Sequence, residues 1–187
     1  KPSSSGELAN VVLDQESDRK VYSNIDDQLI DYINEALQGG ESYVSFGLEY
    51  KSGATNQLKW MGGIGDGSYG PWLMLEFGDG YSSFAMDDAT VWEKQPDWTA
   101  ADHHGSNIFV GENAAGDSAV IAYIKFDVST IKGQIVEVAE FSTRSDMNDN
   151  TTMTVALKSA GTAFTRDTTT WSTRPSRGAE LASVVLD

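Results

Sequence analysis

The 187-residue chain carries 13 Lys and Arg against 28 Asp and Glu, a formal net charge of −15 that argues against nucleic acid and anionic membrane as partners. The absence of cysteine excludes a disulfide framework and thiolate metal sites. No apolar run approaches the roughly 18 residues of a membrane-spanning helix, so no membrane insertion is expected, and the length suits one domain with a single sizeable core.

The first fourteen residues, KPSSSGELANVVLD, return at the other end as RPSRGAELASVVLD over 174–187. Without gaps the two share nine identities, Pro2/Pro175, Ser3/Ser176, Glu7/Glu180, Leu8/Leu181, Ala9/Ala182, Val11/Val184, Val12/Val185, Leu13/Leu186 and Asp14/Asp187, at an offset of 173 residues. Chance does not produce that match, and the pattern fits slightly more than one period of a tandem array. The start at Lys1 leads us to expect a mature or excised piece of a longer precursor.

A short strand over 7–14 and a polar turn over 15–20 precede a second short strand, VYSNI at 21–25. Residues 26–37 predict the one clear helix, because Leu29, Ile30, Ile33 and Leu37 form one apolar stripe and Gly39-Gly40 stop it. YVSFGLEY (43–50) alternates as a half-buried strand with Val44, Phe46 and Leu48 on one face. LKWMGG and PWLMLEF predict further strands, and the Gly, Ser and Asp content of 78–87 predicts a linker between two halves. In the second half, strands are expected at ATVWEK, 107–111, 120–128, 134–142, 152–158 and the terminal ELASVVLD, with a long loop through PDWTAADHHGS. Strands recurring this often with a single helix predict an all-β chain, an antiparallel β-sandwich or jelly roll.

Several segments resemble one family, the secreted bacterial β-sandwich modules called DNRLRE-type domains. DDATVW (87–92) resembles their opening strand, DHHGSNIFVG (102–111) a loop and strand, YIKFDVSTI (123–131) their most diagnostic stretch, and DTTTWSTRP (167–175) the Thr-rich run before a Trp and Pro. NIDDQLIDYINEAL, YVSFGLEY and PWLMLEF resemble the helix and strands of the family's other half. The order is permuted: 1–77 resembles the back half of one domain and 88–187 the front half of the next. At Pro71 the preceding residue is Gly70 where the family usually has Arg. The resemblance implies a jelly-roll-like sandwich in a secreted or surface protein, related to carbohydrate-binding modules of polysaccharide-degrading enzymes. The two halves either close on each other as one permuted sandwich or complete themselves with a neighbouring copy.

No nucleophile elbow, zinc-protease helix motif or phosphate-binding loop is present, and a non-catalytic chain is expected. His103 and His104 are adjacent, so in extended backbone their side chains diverge and do not share a metal. For Ca²⁺, oxygen ligands are available at Asp87 and Asp88, at Asp146, Asn148 and Asp149, at Asp66 with Asp79, and at Asp117, though the same residues serve equally as turn formers. For sugars, aromatic faces stack on pyranose rings, and Trp60, Tyr69, Trp98 and His103 fall in loops or at strand ends; Trp72, Trp92 and Trp171 fall in strand-like contexts and are expected in the core. The first expectation is an extracellular repeat unit of an adhesin-like or fibre-forming surface protein. It would associate head-to-tail with neighbouring copies through Leu8, Val11, Val12 and Leu13 and through Leu181, Val184, Val185 and Leu186. The alternative is a carbohydrate-binding module whose partner is a polysaccharide.

Overall fold

A computed structural model describes residues 20–25, 27–53, 58–64, 70–78, 80–103, 107–112, 119–145 and 152–186. The expected strand at 7–14, with Leu8, Val11, Val12 and Leu13, lies outside these residues.

Strand β1 (Lys20–Ile25) is followed by helix α1 (Asp27–Gln38) and by β2 (Tyr43–Gly53). The helix buries Leu29, Ile33 and Leu37, as its periodicity predicts, and half-buries Ile30. It ends where Gly40 takes a φ of 75°, a conformation that costs glycine nothing. β3 (Leu58–Gly62), β4 (Trp72–Glu76) and β5 (Tyr81–Phe84) follow. The last lies inside the expected linker and pairs with β4 in register Leu73↔Ser83. β6 (Asp87–Trp92), the four-residue helix α2 (Ala100–His103), β7 (Asn107–Glu112) and β8 (Ala119–Asp127) continue the chain. β9 (Val138–Ser145), β10 (Met153–Ala160) and β11 (Arg177–Leu186) complete it. The structure is all-β and antiparallel, as expected. Among the described residues no helix is long and apolar enough to cross a membrane.

The hydrogen-bonded order is β11-β10-β2-β8-β7-β3-β9-β4-β5, with β1 on β9 and β6 on β8. Two joints in that path are thin: β3 meets β9 only at Met61↔Ser145, and β7 meets β8 only at Gly111 and Glu112. The path therefore bends at β3-β7 into two packed layers. One holds β11, β10, β2, β8 and β6; the other holds β1, β9, β4 and β5. Phe46 of β2 and Phe126 of β8 meet Phe141 of β9 across the gap, with ring centroids 5.8 and 6.2 Å from it. β2 sits between β10 and β8, so strands from both parts of the chain share one core.

β8 has two buried faces. Ala122, Ile124 and Phe126 face the sandwich core, while Ile121, Tyr123 and Lys125 point the other way and are buried as well. The segment 161–176 covers that second face. Phe164 packs on Tyr123 (5.7 Å), and Pro175 accepts a hydrogen bond from the Tyr123 hydroxyl (3.2 Å). Lys125 Nζ donates to the carbonyls of Phe164 (2.7 Å) and Thr162 (3.3 Å). This strap has no ladder of its own, and its threonines supply the bonds instead. Thr169 Oγ1 accepts from Thr165 N and Thr173 Oγ1 from Thr170 N, each at 3.0 Å.

Two expected elements shift. Residues 134–137 are not strand, and Ile135 is 68% exposed. The Asn34 side chain of α1 brackets Val136 instead, accepting from its N–H (2.7 Å) and donating to its carbonyl (3.0 Å). Gln38 donates to the carbonyls of Gly133 and Gln134. The helix thus provides the partners a neighbouring strand would have given. The loop after β6 contains α2, which is tied to the strap by Ala101 N donating to the Arg166 carbonyl (3.4 Å).

Candidate functional site

β6 runs into a tight turn in which Gln95 N donates to the Trp92 carbonyl (3.1 Å) and Trp98 N to the Gln95 carbonyl (3.0 Å). The turn brings Trp98 back onto Trp92, with centroids 6.2 Å apart and a 54° tilt. Trp92 meets Phe109 of β7 edge-on at 6.4 Å. β6 and β7 flank β8 at the same point, Trp92 and Gly111 both lying opposite Val120, and this sets the two aromatics side by side. Trp92 and Trp98 are half-buried, and Phe109 is buried. Trp60 lies directly across the β3-β7 ladder from Phe109. The side chains of Trp60 and His103 lie outside the described residues, as does all of Tyr69. Of the four expected sugar platforms, then, Trp98 is the one whose surroundings the structure gives. Its companions, Trp92 and Phe109, read in the sequence as ordinary strand residues. A Trp closing a strand just before a turn was the available signal.

Asp87 and Asp88 point to opposite sides of β6. Asp87 faces Lys125, its cross-strand neighbour, at 3.5 Å, and accepts from Arg166 N at 3.1 Å. Asp88 is fully buried, accepts from Ile64 N at 2.6 Å and forms an ion pair with Arg166 of the strap. Burial pushes the Asp88 carboxyl up to about 6, outweighing the Ile64 N–H and the Arg166 guanidinium, which both pull it down. The two carboxylates therefore latch the strap to the edge of the sheet. Among the described residues no group of three or more His, Asp or Glu converges on one point. Asp146, Asn148 and Asp149 lie outside them, as do Asp66, Asp79 and Asp117.

Trp171, expected in the core, is half-buried at the end of the strap, and the Arg174 guanidinium lies 3.8 Å over its ring. Arg174 also donates to the Trp171 carbonyl. Arg177 and Lys158 both pair with Glu49 on the neighbouring strands. An open depression is lined by Arg174, Pro175, Ser176 and Arg177. This cationic and aromatic patch stands out on so acidic a chain.

Residues 81–187 match the family model of carbohydrate-binding module family 96, a stretch that begins at β5 and takes in the Trp92–Trp98 cluster, the strap and β11. No curated protein and no solved structure matches the chain. Because the match spans more than half of its length, the chain belongs to carbohydrate-binding module family 96.

Proposed function

We propose that the chain is a polysaccharide-binding module, non-catalytic in itself, that holds its ligand on the aromatic surface built by Trp98 and Trp92. The observation that carries this reading is the partly buried Trp98 packed on Trp92, which in turn meets Phe109, inside the matched region. A ring held by packing loses little freedom when a sugar stacks on it, so its contact area converts efficiently into affinity. Arg174 and Arg177 add donors at a second patch, available to hydroxyl or carboxylate groups of a long chain. Affinity electrophoresis against neutral and acidic polysaccharides tests the reading. Trp98→Ala is expected to weaken binding by about 2 kcal/mol, roughly 30-fold, as for an interfacial Trp anchor, in a variant that circular dichroism shows to be folded at the assay temperature. Binding by the variant equal to that of the parent removes Trp98 from the site, and silence of the parent across the panel removes the function.

Calcium at Asp146, Asn148 and Asp149, in an extracellular setting that suits the acidity, belongs to the same proposal. Chelation with EDTA is expected to lower the melting temperature, and an unchanged melt with no Ca²⁺ by mass spectrometry sinks the calcium part alone.

A further inference from the structure

β11 stands at the end of its layer and, among the described residues, pairs only with β10. Its seat is defined by Leu157↔Ala182, Val155↔Val184, Thr154↔Val185 and Met153↔Leu186, with Leu181 and Ala182 buried in the sandwich core. Glu180 at its start pairs with Lys51. The residues standing 173 positions earlier are Glu7, Leu8, Ala9, Val11, Val12 and Leu13, identical at every one of these places. Where the copies differ, Gly178, Ala179 and Ser183 are exposed, and of these only the Gly178 place asks for an adjustment: the Cβ that Ser5 would bring there meets Ser159 Oγ at 2.4 Å, so that hydroxyl must rotate away. One difference has an energetic consequence. Arg177, which pairs with Glu49, is Ser4 in the N-terminal copy. The chain thus holds two strands cut for one seat, and its own seat goes to the copy with the additional ion pair and the strap behind it.

We propose that residues 7–14 fit the β11 seat of a second copy of this chain and take it, along Met153–Ala160, when that copy's own 177–186 strand leaves it, joining the two head to tail. Backbone hydrogen bonds to β10 supply the affinity, and the Leu8 and Ala9 side chains, in the places of Leu181 and Ala182, supply the fit. An acceptor is full-length chain carrying Leu181→Asp to put an unpaired carboxylate into the core seat, together with Leu8→Asp to spoil its own N-terminal copy. Two donors are compared, the unaltered chain and its Leu8→Asp variant. The unaltered chain is expected to form a 1:1 complex with the acceptor by light scattering and to raise the acceptor's melting temperature by several degrees; the Leu8→Asp donor is expected to do neither. Since the chain has no cysteine, Val12→Cys in the donor and Thr154→Cys in the acceptor report the register as a mixed disulfide. Absence of complex, rescue and disulfide with the unaltered donor overturns the proposal, whether or not the acceptor folds alone. So does equal rescue by both donors.

Discussion

Replacing Arg166 by Met keeps the aliphatic stem and removes the guanidinium that faces Asp88. Asp88 has no exposed surface, while the Arg166 side chain is 17% exposed, so the pair sits largely out of water. Removing one member of such a pair leaves a buried charge whose remaining partner is the Ile64 N–H, at 2.6 Å, and typically costs about 3–5 kcal/mol. That cost depends on the ionisation of Asp88. Its folded pKa, pushed up to about 6, lies above the value near 4 of an unfolded aspartate. The folded state therefore binds the proton more tightly. The stability this gives is full below about pH 4 and is lost as pH rises through 6, an effect of roughly 3 kcal/mol for a gap of about two units. Loss of Arg166 raises the folded pKa further. At pH 5 both proteins hold Asp88 mostly neutral, and the deficit of Arg166→Met shrinks towards about 1 kcal/mol, the value of one hydrogen bond. At pH 8 the full 3–5 kcal/mol is expected. Urea titrations followed by tryptophan fluorescence at the two pH values measure both, and the double variant Asp88→Asn with Arg166→Met is expected to recover most of the loss at pH 8. An equal loss at pH 5 and pH 8, or a loss under about 1 kcal/mol at pH 8, refutes the reasoning.

Lys125→Met removes the donor shared by the Phe164 and Thr162 carbonyls, which is expected to cost about 1–3 kcal/mol and to speed proteolytic cleavage within 161–176; an unchanged cleavage pattern argues that the strap is held elsewhere. Gly53 has a φ of 107°, and a Cβ there would meet the Thr152 carbonyl oxygen at 2.6 Å, whereas Gly78 has a φ of 61° and open space around it. Gly53→Ala is expected to lower stability by about 1–3 kcal/mol and by more than Gly78→Ala, with equal melts for the two variants counting against the backbone contact.

The terminal duplication shows what a linear reading delivers and what it does not. Nine identities at a fixed offset are visible without coordinates. That the second copy is an edge strand, with the buried Leu181 and Ala182 among its identities, needed the sheet order. Asp87 and Asp88 make the same point from the other side. Adjacent carboxylates suggested oxygen ligands, but their cationic partners, Lys125 and Arg166, are 38 and 78 residues away from Asp87 and Asp88 respectively. No local spacing announces such pairs. Trp98 was singled out for its loop position, while Trp92 and Phe109 became part of the candidate surface only because β6 and β7 both meet β8 at Val120.

By itself the sequence determined the all-β class, the stripe of Leu29, Ile33 and Leu37 on α1, the core-facing alternation of Val44, Phe46 and Leu48, and most strand positions. These follow from side-chain periodicity, which depends only on neighbours in the chain. The tertiary structure decided what each second face meets. It placed the strap over Ile121, Tyr123 and Lys125, gave Val136 to Asn34 of the helix instead of to a strand, and turned an expected linker into β5. A face that is polar, apolar or mixed in sequence becomes core or surface according to which distant segment satisfies its hydrogen bonds and excludes water from it, and that is a property of the closed fold.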